Sequence, residues 1–318
     1  MNATIGARLV ATRMQGIVAG KRTPKMKLNH SLARDRVLNS IVSWAQDCPF
    51  ARALILTGSL AREDGLLDDL SDIDVEIISS DPKNLMESNL WLSNIGNLIT
   101  VLVLDPSSEQ RWATRLAIYA DGVKVDFTLA GIERLKEMVA EEKLDPLYER
   151  GYRVLFDKDG IADRLPRASR AVPNPTAPSQ AEFNASVEEF WFEAFHIPKY
   201  LIRNELWLVK NRDRTMKELL LRMLEWRAKS KSRAIDTWHI GTRLPDWVDA
   251  ETLSDISKTY GRFDTIDSVR AFEETTSLYS RLGREVAETM GLTYPKHIEK
   301  SIMEICERYI SRIKYDPS

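Results

Sequence analysis

Ala53-Leu-Ile-Leu-Thr-Gly-Ser59 and, after a polar connection, Ser71-Asp-Ile-Asp-Val-Glu-Ile77 are the two stretches that decide the fold. The first is an apolar run that ends in Gly-Ser, a pattern typical of a buried strand followed by a tight turn. The second alternates polar and apolar residues, which predicts a half-buried strand. Because residues i and i+2 of a strand point to the same face, its carboxylates share the face opposite its aliphatic side chains.

The paired carboxylates of this second strand, Asp72 and Asp74, indicate a cation site. Two like charges held this close repel each other unless a cation lies between them, and Mg²⁺ prefers carboxylate and phosphate oxygens. A third carboxylate, Asp126, lies on the alternating segment Val123–Leu129, which follows the hairpin signal Asp121-Gly122. Together with a Gly-Ser turn that can contact phosphates, this ordered set is typical of metal-assisted nucleotidyl transfer. The alternative for Asp126 is an ordinary exposed strand residue.

These motifs resemble those of a known group of enzymes. Gly58-Ser59, the Asp72/Asp74 pair and Asp126 are similar to the motif of the polymerase-β-like nucleotidyltransferase superfamily. Two later segments, 190–205 and 217–226, resemble the helical half of the aminoglycoside 6-adenylyltransferases, which modify streptomycin. The resemblance extends from about Ser31 to the C-terminus.

The resemblance implies a reaction and its cofactors. The enzyme would transfer AMP from the co-substrate ATP to the 6-hydroxyl of streptomycin and so confer antibiotic resistance. Two Mg²⁺ ions are expected, one on Asp72 and Asp74 and a second that also uses Asp126. Asp126 is in addition a candidate general base, and Gly58 and Ser59 are expected to hold the β- and γ-phosphates. For Ser59 the alternative is a helix cap.

Other charged residues are candidates for ligand binding, each with an alternative. Arg62 lies one helical turn after Gly58-Ser59 and either reaches the triphosphate or forms a surface ion pair. Lys199 and Arg203 are four residues apart on one helix and either bind the nucleotide or belong to a solvated face. Three acidic residues either attract a cationic aminoglycoside or favour the helix dipole: Glu188, Glu189 and Glu193. For Glu76 we favour a structural or supporting role.

The pattern of apolar residues predicts an α+β protein in which a mixed sheet with flanking helices precedes a helical bundle. We expect a disordered extension over residues 1–29, a nucleotidyltransferase domain over 30–165, a Pro-rich linker over 166–178 and a helical acceptor-binding domain over 179–318. The first helix is expected over Leu32–Gln46, and another should start at Pro82 and run towards Leu92. Strands are expected at Ala51–Thr57, Asp72–Ser79, Leu98–Leu104, Trp112–Tyr119, Val123–Leu129 and Tyr152–Phe156.

The helical half has its own start signals. Ser179-Gln-Ala-Glu182 is a capping box that should open a long helix, and Thr215-Met-Lys-Glu218 repeats the pattern. The tryptophans Trp191, Trp207 and Trp226 are interpreted as core residues.

Composition narrows the classes of partner. The formal net charge of −2 gives no reason to expect binding to long nucleic acids, which usually requires a basic surface. No apolar run is long enough to span a membrane. Cys48 and Cys306 are far apart and predict reduced thiols, hence a cytoplasmic protein. The expected partners are therefore ATP and a cationic aminoglycoside. Two alternatives stay open: a nucleotidyltransferase that acts on a protein or RNA hydroxyl, and a non-catalytic relative that serves as a binding module.

Overall fold

The computed structural model describes residues 24–65, 67–108, 110–173 and 177–315. The chain divides into two compact units between Ala171 and Val172. Most of the predicted N-terminal extension lies outside the described residues. From Pro24 the chain is helical, so the first helix begins eight residues before the predicted start at Leu32.

The first unit is built on a six-stranded mixed sheet. The strands follow the spatial order β3-β4-β5-β2-β1-β6. β2 and β5 run parallel, and all other neighbouring strands are antiparallel. The strands are β1 (Ala51–Thr57), β2 (Ile73–Ser79), β3 (Leu98–Leu104), β4 (Ala113–Tyr119), β5 (Lys124–Gly131) and β6 (Arg153–Asp157).

One long helix precedes the first strand, and shorter helices follow the later strands of the first unit. They are α1 (Pro24–Asp47), α2 (Gly58–Ala61), α3 (Pro82–Glu87), α4 (Glu133–Ala140) and α5 (Pro146–Glu149), with 3₁₀ turns at Leu90–Asn94 and Ala162–Arg164. The continuous helix predicted from Pro82 to Leu92 is wrong. Ser88 is extended, with φ −142° and ψ 135°, and its Oγ accepts a hydrogen bond from the N–H of Leu90 at 3.2 Å, which separates the two helical pieces.

The two faces of the sheet pack against different helices. Ile73, Val75 and Ile77 of β2 belong to a core that also contains buried residues of α1 such as Ile41. The opposite face contributes Ile55 to a smaller core, which includes side chains from α4 and α5. The face of β2 that carries the carboxylates is therefore the one turned towards α4 and α5.

The second unit is helical. Its elements are α6 (Gln180–Ile202), α7 (Leu206–Lys231), α8 (Leu244–Trp247), α9 (Ala250–Lys258), α10 (Thr265–Met290) and α11 (Lys296–Tyr315). The capping box at Ser179 and Glu182 is confirmed at the start of α6. α6 packs against α7 and α11, and α7 packs against α10. An α+β fold with a helical C-terminal region is therefore confirmed.

Two expectations for the second unit are wrong. Thr215 does not start a helix, because α7 begins at Leu206 and continues through it; Met216 and Leu219 keep the apolar face buried across the predicted break. Trp207 is not a core residue, since 77% of its surface is exposed, whereas Trp191 is buried as predicted.

The segment around the unit boundary lacks regular secondary structure where it is described. Pro166 and Arg170 are attached to the first unit, because the Pro166 carbonyl accepts a hydrogen bond from Tyr152 and the N–H of Arg170 donates one to Glu149. The Pro173 carbonyl instead accepts a hydrogen bond from Lys229 of α7. None of the described helices is both long and apolar enough to cross a lipid bilayer.

Candidate active site

Adjacent strands bring the predicted carboxylates to one face of the sheet. Asp74 of β2 is the direct register partner of Asp126 on the parallel strand β5. Asp72 immediately precedes β2 and lies two residues from Asp74, so that it shares the same face. Asp126, which is more than fifty residues away in sequence, therefore lies beside the Asp72/Asp74 pair in space.

The Gly-Ser turn lies on the other side of Asp74. β1 ends at Thr57, whose register partner is Asp74, and Gly58 follows with φ +65°. A Cβ atom at position 58 would lie 1.9 Å from Oδ2 of Asp74. Only glycine permits this close approach, because it alone combines a positive φ with the absence of a side chain. Ser59 follows within the single turn α2, and its contact with phosphate stays a prediction.

Lys124 is a site residue to which the sequence analysis gave no role. Its Nζ donates hydrogen bonds of 2.9 Å to Oδ2 of Asp72 and 2.9 Å to Oδ2 of Asp126. The alternation of β5 already places Lys124 on the same face as Asp126, two residues away. The sequence therefore indicated that Lys124 lies near Asp126. Its contact with Asp72 could not be inferred, because that contact depends on the pairing of β5 with β2.

The electrostatic environment of Asp74 is unfavourable for a carboxylate. Burial, and secondly the negative charge of Asp126, raise the pKa of Asp74 to about 6, although the positive charge of Lys124 opposes the shift. Oδ1 of Asp126 is also buried and accepts no hydrogen bond from a described residue, although Nζ of Lys124 lies 2.7 Å away. The protein therefore leaves negative charge at this face incompletely compensated.

The donor chemistry of this face fits a hard divalent cation. The Lys124 ammonium lies between Asp72 and Asp126, and among the described residues no three His, Cys, Asp or Glu side chains are grouped closely enough to hold a metal ion. Nevertheless, three carboxylates share the face, one of their buried oxygens lacks a hydrogen bond, and Asp74 is disfavoured as an anion. Mg²⁺ binds such oxygen ligands and would relieve the repulsion.

Glu76, two residues further along β2, is fully paired. Arg134 donates to both of its carboxylate oxygens at 2.9 and 3.0 Å, and the hydroxyl of Tyr148 donates to Oε2 at 2.7 Å. The same arginine also forms an ion pair with Asp145. This buried network agrees with the structural role expected for Glu76.

The remaining predicted site residues are cations, and each has contacts within its own unit or a position on its own helix. Nε of Arg62 lies 3.2 Å from Oδ2 of Asp64, so Arg62 forms an ion pair, which was the alternative to triphosphate binding. Lys199 and Arg203 belong to the second unit: Nζ of Lys199 lies 4.7 Å from the ring centroid of Phe195, and Arg203 is the C-cap of α6. A role of these three cations in nucleotide binding stays a prediction.

Comparison with known proteins defines the class of this chain. The family model for streptomycin adenylyltransferase matches residues 33–309. Two curated relatives are aminoglycoside 6-adenylyltransferases: that of Campylobacter jejuni is 24% identical over 273 residues, covering 83% of this chain and 91% of the relative. That of Bacillus subtilis is 23% identical over 279 residues, covering 84% and 94%. A crystal structure of an aminoglycoside 6-adenyltransferase from Bacillus subtilis covers 87% of this chain and 97% of its own, with 18% identity and a TM-score of 0.42.

The chain is a nucleotidyltransferase. It belongs to the streptomycin adenylyltransferase family, because the family model matches most of its length, in both units. The resemblance noted from the Gly-Ser turn, the aspartates and the helical segments is thereby confirmed.

Proposed function

We propose that the protein transfers AMP from ATP to a hydroxyl of an aminoglycoside, with streptomycin and its 6-hydroxyl as the preferred acceptor. The proposal is supported chiefly by the incompletely compensated face formed by Asp72, Asp74 and Asp126 in a member of this family. The names of the two curated relatives support the acceptor class. Modification of the drug would make the host resistant to it, and we expect the enzyme to act in the cytoplasm, where ATP is supplied.

In this proposal the three aspartates hold Mg²⁺, in one or two ions, together with the triphosphate. The metal, when bound, neutralises phosphate charge and lowers the pKa of the acceptor hydroxyl. The tight turn brings the backbone of Gly58 close to Asp74, and this backbone together with the hydroxyl of the next residue, Ser59, would orient the β- and γ-phosphates. This would keep pyrophosphate in line as the leaving group.

The proton of the acceptor hydroxyl would pass to Asp126. Its Oδ1 is buried and lies 2.7 Å from Nζ of Lys124 without a hydrogen bond from a described residue, so it would exchange this ion-pair contact for the substrate hydroxyl. The acceptor oxygen then forms a bond to the α-phosphorus while the bond between the α-phosphorus and pyrophosphate breaks. Lys124, hydrogen-bonded to Asp126 and Asp72, would keep both carboxylates oriented.

Incubation of the full-length protein with ATP labelled in the α-phosphate, Mg²⁺ and a panel of aminoglycosides tests this function. We expect label on streptomycin, and NMR of the product should place AMP on the 6-hydroxyl. Label on a protein or RNA acceptor instead would favour the first rival function. A folded protein that binds ATP but transfers nothing would favour a binding module.

A further inference from the structure

Four charged residues form a two-by-two group on the carboxylate face of the sheet. Asp72 and Asp74 lie two residues apart at the start of β2, and Lys124 and Asp126 lie two residues apart at the start of β5. The parallel register that pairs Asp74 with Asp126 places Lys124 beside Asp72. Three of the four positions are therefore negative, and the fourth carries a cation that belongs to the protein itself.

The ammonium group of Lys124 contacts both of its acidic neighbours. Its Nζ lies 2.9 Å from Oδ2 of Asp72, and 2.9 and 2.7 Å from Oδ2 and Oδ1 of Asp126. A metal ion that bridges Asp72 and Asp126 would need these same carboxylate oxygens as ligands. Such an ion would have to displace an ammonium group that is tethered to β5, because two cations so close together repel each other.

Stabilisation of the fold does not account for this contact. The side chains of Lys124, Asp72 and Asp126 are 35%, 43% and 27% exposed, and ion pairs this open to solvent add little stability. The ion pair of Arg134 with Glu76 is different, since those side chains are only 12% and 3% exposed. The ammonium group of Lys124 is therefore accessible to a substrate, as a structural cation such as Arg134 is not.

Lys124 also retains donor capacity for a ligand. An ammonium group has three N–H donors, and the hydrogen bonds to Asp72 and Asp126 use two of them. The third would be available to a substrate oxygen beside Asp126, the residue proposed to accept the proton of the acceptor hydroxyl. A positive charge at this position favours the negative charge that develops on the acceptor oxygen, which is the effect expected of a second metal ion.

We infer that Lys124 takes the place of a second metal ion and that the protein binds a single Mg²⁺ together with ATP. This inference rests on the proposed function. The oxygens left for that ion are those of Asp74 and Oδ1 of Asp72, to which Lys124 donates no hydrogen bond. Lys124 keeps its proton and forms no covalent bond. The acceptor proton passes to Oδ1 of Asp126, the acceptor oxygen bonds to the α-phosphorus, and pyrophosphate leaves.

The number of bound metal ions tests the inference in the wild-type protein. Mn²⁺ is titrated into the full-length protein saturated with an ATP analogue that carries a methylene bridge between the α- and β-phosphates, and bound Mn²⁺ is counted by electron paramagnetic resonance. We expect one Mn²⁺ per protein. Two ions in a shared carboxylate site lie about 3.5–4 Å apart and would broaden each other's signals. Any count other than one would overturn the inference.

Substitutions of Lys124 show whether its charge sets this number. Lys124→Met removes the charge, so we expect it to bind two Mn²⁺ under the same conditions. AMP transfer should fall by about 10²-fold at low Mg²⁺ and recover in part as Mg²⁺ is raised. Lys124→Arg keeps the charge with a different donor geometry, and should bind one Mn²⁺ and transfer AMP within about tenfold of wild type.

Lys83→Met is the matched control, because Lys83 is exposed on α3. It should bind one Mn²⁺ and keep turnover within about twofold of wild type. A Lys124→Met variant that is folded by circular dichroism and still binds only one Mn²⁺ would contradict the inference.

The metal count and the transfer assay can fail independently. If wild type adenylylates streptomycin but binds two Mn²⁺, the proposed function stands and Lys124 only orients its neighbours. If wild type transfers AMP to no aminoglycoside, the proposed function fails, and the count of Mn²⁺ bound with the ATP analogue still decides whether Lys124 replaces a metal ion.

Discussion

Asp74 and Glu76 occupy two regions of one sheet face, only two residues apart on β2, yet their carboxylates differ in how far neighbouring side chains compensate their charge. Glu76 is neutralised by Arg134 and hydrogen-bonded by Tyr148. Asp74 adjoins the register partner Asp126, and its pKa is raised to about 6, mainly by burial and then by that negative neighbour. The contrast shows where the fold supplies its own counter-charge and where it leaves carboxylates available for an external cation.

The largest effect on AMP transfer is expected from the substitution Asp74→Asn. The change is isosteric and removes like-charge repulsion, so the fold should persist, but a ligand of the proposed metal is lost. Because such positioning supplies several kcal/mol of transition-state stabilisation, AMP transfer should fall by more than ~10³-fold. Turnover with labelled ATP and streptomycin measures this. Asp121→Asn is the control, since Asp121 lies in the hairpin turn and Asn-Gly preserves that turn. Retention of more than about a tenth of wild-type turnover by folded Asp74→Asn would contradict the assignment.

Asp126→Asn should have the next largest effect, a loss of AMP-transfer rate of about 10²- to 10³-fold. The reason is that this carboxylate is proposed both to bind metal and to accept the proton of the acceptor hydroxyl. If its main role is to bind metal, raising the Mg²⁺ or Mn²⁺ concentration should restore part of the rate. If its main role is to accept the proton, Mg²⁺-ATP should bind nearly as in wild type while turnover stays low. Rates measured against metal concentration distinguish the two, and an unchanged rate at all concentrations would remove Asp126 from the site.

Glu76→Gln should show the opposite pattern, a loss of stability with little loss of activity. The amide cannot neutralise Arg134, so we expect the free energy of unfolding to fall by about 1–3 kcal/mol. Thermal denaturation measures this, with the exposed Glu87→Gln expected to change it by less than about 0.5 kcal/mol. At temperatures where the variant is folded, turnover should stay within about threefold of wild type. A folded variant without activity would place Glu76 in the reaction itself.

The smallest expected effect concerns stability. In the absence of metal, Asp74→Asn should be more stable than wild type, by an amount that depends on pH. Since the folded pKa of about 6 lies above the usual value of 3.8, ionised Asp74 destabilises the native state above pH 6. As pH falls from 6 towards 3.8, Asp74 takes up its proton in the folded protein first, and the cost disappears. The Tm of Asp74→Asn in EDTA should therefore exceed that of wild type at pH 8, and the two should converge near pH 4. Equal Tm values at pH 8 would show that Asp74 is not strained as an anion.

The strands around the site were predictable because each is a short segment, apolar in β1 and alternating in β2 and β5, bounded by turn residues. β1 was predicted with its observed bounds, and the start of β2 within one residue. Periodicity alone also placed Asp72 and Asp74 on one face. The side-by-side position of Asp74 and Asp126 was not given by periodicity, because it depends on the pairing of β2 with β5 across fifty residues.

Several of the errors come from contacts that are distant in sequence, whereas the break between Pro82 and Leu92 is local to Ser88. Lys124 was on the expected face, but its two hydrogen bonds exist only once β5 lies beside β2. Thr215 has the local sequence of a helix start, but the buried apolar face of α7 continues across it. Likewise, the helical periodicity did not show which acidic residues of α6 are paired. Arg212, from the neighbouring helix, forms an ion pair with Glu193, whereas Glu188 and Glu189 are exposed.

Direct measurement of metal binding tests the central contrast between Asp74 and Glu76. Mn²⁺ should be titrated into the full-length protein with a non-hydrolysable ATP analogue present, and followed by electron paramagnetic resonance in wild type, Asp74→Asn and Glu76→Gln. We predict that wild type and Glu76→Gln bind Mn²⁺ with the same affinity, and that Asp74→Asn binds it at least about tenfold more weakly, a loss of ~1.4 kcal/mol. Equal binding by Asp74→Asn and wild type, or weaker binding by Glu76→Gln alone, would contradict the account.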